Sequence, residues 1–128
     1  MTSALDLDLL PGEHAVARLD PGAAVPQWAH EGALCALVRT AAELTILCAA
    51  AAVPASVRHE GPFTALVVRG PLDFGATGIL AALAGPLAAA AIPILALSTF
   101  DTDIVLVRTA ALEAAVLALE GAGHRIHR

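Results

Sequence analysis

The sequence predicts an α+β fold built on antiparallel sheets, and three observations carry that expectation. Runs of alternating, β-branched residues recur along the 128 residues and read as strands. Ile79, Leu80, Leu83 and Leu87 recur at helical spacing within residues 77–91. Gly61-Pro62 and Gly70-Pro71 punctuate the runs where a chain must turn.

Composition excludes several classes of function. Hydrophobic residues make up 58% and charged residues 15%, which is ample apolar area for a core and argues against disorder. The net charge is −5, there is no lysine, the seven basic residues are scattered arginines, and tyrosine is absent. A nucleic-acid surface needs clustered cations and stacking aromatics, so none is expected. Residues 74–100 carry no charge and exceed the roughly 20 residues that cross a bilayer. Pro86 and Pro93 interrupt that run, alanine supplies much of it, and Asp73 and Asp101 flank it. A buried helix followed by a buried strand is the better reading, with no membrane span. The N-terminus lacks the basic region of a signal peptide, so a cytoplasmic protein is expected.

Taken in order, residues 14–19 form a strand and residues 26–30 a single helical turn. Residues 34–40 and 43–48 form a hairpin around Thr40-Ala41-Ala42-Glu43. That register sets Arg39 against Leu44 and Cys35 against Cys48. In a cytosolic setting the two cysteines read as reduced, buried thiols, and nothing nearby would lower a thiol pKa enough for redox work. Residues 57–60 lead into the second half. Its first strand covers residues 63–69 and breaks at Gly70-Pro71. The helix at 77–91 follows, where Pro86 removes a backbone bond to Ala82 and bends the second half. Strands at 94–99 and 104–108 are joined by a short acidic turn. Thr109 caps a second helix with Leu112, Val116 and Leu119 on one face. Gly121 and Gly123 end it, and residues 124–127 make a last edge strand.

The second half is thus β-α-β-β-α-β, the ferredoxin-like split βαβ. Two helices cover one face of its sheet, and a unit of this size does not leave the other face wet comfortably. Residues 1–60 read as a shorter, degenerate copy of the same plan, its second helix reduced to four alanines at 49–52. The two domains are therefore 1–60 and 61–128. Uncovered faces and edges point to a homodimer.

Residues 61–127 resemble an ACT domain. The resemblance rests on Gly70-Pro71-Leu72-Asp73-Phe74, Thr77-Gly78-Ile79-Leu80, Pro86-Leu87, Ile94, and Ser98-Thr99-Phe100 with Asp103. The whole chain is similar to small bacterial tandem ACT proteins related to the amino-acid-sensing modules of the CASTOR arginine sensor. The resemblance implies a non-catalytic regulatory protein that binds an amino acid or similar metabolite at an interface between ACT units. By the same resemblance the ligand contacts are Asp73, Phe74, Ala76, Thr77, Gly78, Ile79, Thr99, Phe100 and Asp103. Ala76 stands where arginine-sensing relatives imply an acid, which argues against arginine here.

The residues make an independent case for a zwitterion. Backbone amides at the start of the helix near Thr77 and Gly78 are donors for a carboxylate. Asp73, Asp101 or Asp103 accept from an ammonium, and Thr99 and Phe100 add a hydroxyl and an apolar wall. The competing readings are structural: acids decorating a solvated turn, Thr77 as a helix cap, Phe100 as core, and Gly75 and Gly78 as turn formers. The alternative function is an ACT-fold interaction module with no ligand.

Metal and catalytic chemistry find little support. His124 and His127 fall on opposite faces of a strand, and His14, His30 and His59 lack companions at ligand spacing. No nucleophile elbow, phosphate loop or Schiff-base lysine is present. The asparagine on which ferredoxin-like acylphosphatases rely is missing too. No cofactor is expected.

Overall fold

The computed structural model describes residues 4–128. Strands β1 (Asp6–Leu9), β2 (His14–Leu19), β3 (Ala36–Arg39), β4 (Leu44–Ala49) and β5 (His59–Val68) precede helix α1 (Ile79–Ala89). After it come β6 (Leu95–Ser98), β7 (Asp103–Arg108), helix α2 (Leu112–Gly121) and β8 (Arg125–His127). The architecture is mixed α+β with mostly antiparallel pairing. The chain divides into two compact units. One is Pro11–Phe63, and the other joins the residues up to Leu10 to Thr64–Arg128.

In the unit Pro11–Phe63, β2 pairs antiparallel with β4 from His14↔Ala49 to Leu19↔Leu44. The β3–β4 hairpin keeps the register expected of it, with Arg39 opposite Leu44 and Ala36 opposite Leu47. Thr40 N–H donates to the Glu43 carbonyl at 2.9 Å, and the Thr40 hydroxyl accepts from Ala42 N–H at 3.1 Å. Threonine at the first turn position thus satisfies the tip that Ala41 and Ala42 cannot satisfy themselves. Period-two alternation sends Ala15, Ala17, Leu44, Ile46 and Cys48 into one small core with Ala29 and Val53. Ala29 reaches it from a 3-10 turn over Gln27–His30, and a second 3-10 turn occupies Ala50–Ala52. Cys48 is buried as expected, but Cys35 is exposed, because it lies just ahead of β3, which ends the strand order of the sheet among the described residues.

The other unit gathers β8, β1, β5, β7 and β6 in that order. Leu7, Leu66, Val68, Val105 and Val107 face Leu83 and Leu87 of α1 and Ala115 and Leu119 of α2 in its core. Burying a leucine of this kind is worth roughly 1.5–3 kcal/mol. The sequence reading omitted β1. Leu7 pairs with Val68 of β5 on one side and, in parallel, with Ile126 of β8 on the other. Its acids point outward, where Arg69 grips Asp8 at 2.9 Å and Arg125 holds Asp6 at 2.7 Å.

One expected cap and one competing reading are corrected. The N-cap of α1 is Gly78, in the left-handed region with φ of 79°, and not Thr77. Thr109 lies in a 3-10 turn ahead of α2, whose N-cap is Ala111 with no side-chain bond. The Thr109 hydroxyl instead meets that of buried Thr64 at 2.9 Å, which gives each hydroxyl a partner. Pro86 sits inside α1 without ending it.

Candidate functional site

Two loops meet where β5 hands over to α1 and β6 turns into β7. After Val68 the chain leaves the sheet through Gly70-Pro71. The Leu72 amide then donates to the Asp101 carbonyl at 2.7 Å. The Thr102 hydroxyl donates to the Val68 carbonyl at 2.5 Å. These two bonds hold the β6–β7 turn against the segment leading to α1. A side chain at Gly70 would bring its Cβ within 3.0 Å of the Asp101 carbonyl, so the approach needs glycine there.

The turn is internally closed. Thr99 N–H donates to the Thr102 carbonyl at 2.7 Å, and Thr102 N–H returns a bond to the Thr99 hydroxyl at 3.1 Å. At the pair Ser98↔Asp103 the serine hydroxyl donates to the aspartate at 2.5 Å. On the facing loop, Ala76 N–H donates to the Asp73 carbonyl at 2.9 Å, and Gly78 supplies the positive φ that starts α1. A Cβ at Gly78 would meet nothing, so its dihedral and not lack of space demands glycine.

Between the loops lies a concavity of about 290 Å3. Asp73, Phe74, Ala76, Gly78, Ile79, Thr99, Phe100 and Asp103 all line it, together with Leu72, Leu80, Ser98, Asp101 and Thr102. Of the expected site residues only Thr77 falls outside the lining. Leu72, Leu80, Ser98 and Thr102 were missing from that expectation. Their signal was position: each borders a glycine-proline break, the helix start or the threonine-rich turn already singled out.

Three carboxylates, Asp73, Asp101 and Asp103, border the space, and no cationic side chain does. At its helical edge the first amides of α1 lack intrahelical partners and carry the positive end of the helix dipole. Phe74 and Phe100 stand with ring centres 5.6 Å apart and planes inclined by 40°. They are 79% and 83% exposed, so Phe100 is wall and not core. Such a space offers acceptors to an ammonium, donors to a carboxylate and apolar rings to a side chain. It contains no histidine, cysteine or lysine to serve as base or nucleophile. Among the described residues no group of three or more His, Cys, Asp or Glu side chains is placed to hold a metal ion. No described helix is long and apolar enough to cross a membrane.

The ACT domain family matches residues 58–121, half of the chain, including both loops. The chain belongs to the ACT domain family. ACT domains are regulatory modules that generally bind small molecules such as amino acids. A second family, described as an N-terminal domain, matches residues 12–56. Protein Atu0741 from Agobacterium tumefaciens is 35% identical, with 98% of this chain and 94% of that one covered and a TM-score of 0.93. Protein VC0802 of unknown function from Vibrio cholerae is 22% identical, with coverages of 93% and 90% and a TM-score of 0.76. The regulatory subunit of aspartate kinase from Thermus flavus is 13% identical, with coverages of 94% and 97% and a TM-score of 0.60. The last two likenesses concern the fold alone. None of the curated proteins matches.

Proposed function

We propose that this ACT domain protein is a non-catalytic sensor of a small amino acid or a similar zwitterionic metabolite. The ligand sits in the concavity between loop 73–79 and the β6–β7 turn. Its ammonium faces Asp103 and its neighbouring carboxylates, its carboxylate faces the first amides of α1, and Phe74 and Phe100 flank its side chain. One observation carries the reading. Eight residues from two separate loops, expected from the family resemblance, line a single concavity bordered by three carboxylates and by the start of α1.

In this reading residues 61–128, with β1 completing their sheet, form a ferredoxin-like ACT unit and the rest of residues 1–60 a degenerate one, a tandem arrangement related to that of the CASTOR sensor. The protein works in the cytoplasm as a homodimer. Binding shifts packing between units, and a regulatory target responds to that shift. The aspartate kinase regulatory subunit offers a parallel, since its fold is similar and its role is regulatory.

Isothermal titration with the standard amino acids tests the reading. At least one small amino acid should release heat, and Asp103→Ala should weaken its binding at least about tenfold, the scale of one lost charge-assisted hydrogen bond. No heat for any amino acid from a folded protein would leave an interaction module without a ligand.

A further inference from the structure

We infer that Cys35 and Cys48 form a reversible thiol–disulfide pair that staples the edge strand β3 to β4. The argument begins with register. Ala36 faces Leu47 and Leu37 faces Ile46 at the end of the ladder. Cys35 directly precedes Ala36 as Cys48 directly follows Leu47, so the same register carried one step past the last pair brings the two cysteines together. The bond from Thr40 N–H to Glu43 O closes the hairpin at a hydrogen-bonded pair. Counting alternately from it, the pairs 39↔44 and 37↔46 are non-hydrogen-bonded, and the next such position, one step beyond the last pair of the ladder, falls at Cys35 and Cys48. At such positions the strands approach to about 4.5 Å between Cα atoms and the side chains lie closest, within the span a disulfide needs.

The two thiols differ in access, and the difference orders the chemistry. Cys48 is fully buried, whereas Cys35 is exposed on the open edge. Burial, and then the nearby Cys35 and Glu31, push the Cys48 thiol above its ordinary value, so it is the less ready to react first. Cys35 now rests with its Sγ 3.3 Å from the Glu31 carbonyl, and the Cys48 Sγ lies 3.6 Å from the Ala49 carbonyl. Both are weak contacts to carbonyls, and closing the bond requires each side chain to rotate away from its carbonyl.

The oxidant is a low-molecular-weight disulfide. The Cys35 thiolate attacks one of its sulfurs, forms a mixed disulfide and releases one small thiolate. The Cys48 thiolate then attacks the Cys35 sulfur, closes the protein disulfide and releases the second small thiolate. Two protons leave the protein, its two thiols lose two electrons, and the small disulfide is reduced to two thiols. A dithiol reverses the sequence.

The test equilibrates the full chain in glutathione buffers of rising oxidised fraction and follows intact mass and free thiols. The expected product is monomeric on non-reducing gels, lighter by two hydrogens, without free thiols, and restored by dithiothreitol. Cys48→Ala should stop at a glutathione adduct on Cys35, and Cys35→Ser should leave Cys48 unmodified while folded. Persistence of both thiols in oxidised glutathione would overturn the pairing. So would a stable Cys35 adduct in the unsubstituted protein, or a disulfide between two chains.

Discussion

The His124 ring donates from Nε2 to the carbonyl of Ala82 at 3.1 Å. That carbonyl is the one Pro86 leaves without a helical partner, since residue 86 of α1 has no N–H to offer. The tautomer follows from the other nitrogen. Nδ1 receives the Leu5 amide at 3.1 Å, and an amide can only donate, so the proton sits on Nε2. One buried, neutral imidazole therefore ties the residue ahead of β1 to α1 from the segment leading into β8.

Removing that ring should be costly. His124→Ala leaves a half-buried N–H and a half-buried carbonyl without this partner and opens a cavity, a loss of about 2–4 kcal/mol in urea unfolding. In a Pro86→Ala background, residue 86 regains an N–H for the Ala82 carbonyl. The loss from His124→Ala should then shrink by about 1 kcal/mol, and a double-mutant cycle measures the difference.

Acid should destabilise the protein in two windows. His14 is almost completely buried, its Nε2 accepts from Leu34 N–H at 3.2 Å, and its Nδ1 has no partner among the described residues. Burial holds its pKa below the ordinary 6.5. Below pH 6.5 the unfolded chain takes up a proton that folded His14 refuses, so stability declines as pH falls until the lowered value is reached. His14→Gln should flatten this part of the curve. Asp6 and Asp8 are held below their ordinary 3.8 by hydrogen bonds from Arg125 and Arg69, and Glu113 below 4.5 by Arg128. What these carboxylates add is present above those ordinary values and is lost as pH falls beneath them. Chemical denaturation at stepped pH values reads both windows.

Gly78 gives a prediction that separates strain from contact. Its φ of 79° penalises any side chain, although a Cβ there meets nothing. Gly78→Ala should cost about 1–2 kcal/mol. Gly78→Asn should cost less, because asparagine tolerates the left-handed region. Equal losses in urea unfolding would mean that crowding, and not the dihedral, selects glycine.

At the concavity, Ser98 and Asp103 are coupled by their short bond. Ser98→Ala frees the carboxylate without removing it. Amino acid binding should therefore fall only a few-fold in Ser98→Ala against at least about tenfold in Asp103→Ala, the ordinary ratio between an orienting group and a charged acceptor. Titration calorimetry on the two variants checks the order.

Local chemistry decided what was legible in the sequence. The β3–β4 hairpin could be read to its register because Thr40 marks the turn and alternation allows one pairing only. Loop 73–79 and the β6–β7 turn could be joined because the uncharged run between them had to be one buried helix and one strand. β1 escaped although Leu5, Leu7 and Leu9 alternate strictly with Asp6 and Asp8. The strand reading began only at residue 14, and the partners of the two acids, Arg69 and Arg125, lie 61 and 119 residues away. The cap expected at Thr109, and the competing reading of Thr77 as a cap, failed for a related reason. A threonine ahead of a helix signals an N-cap, but a glycine dihedral won in one case and a distant hydroxyl, that of Thr64, in the other. The exposure of Cys35 was hidden because a strand's period does not reveal that it lies at a sheet edge.

Amide chemical-shift mapping with the standard amino acids tests the central claim most directly. The account predicts that one or more small amino acids move resonances at residues 73–79 and 98–103, and that Asp103→Ala suppresses the movement. Saturable shifts confined to other residues, or no shifts with any of the amino acids, would contradict it.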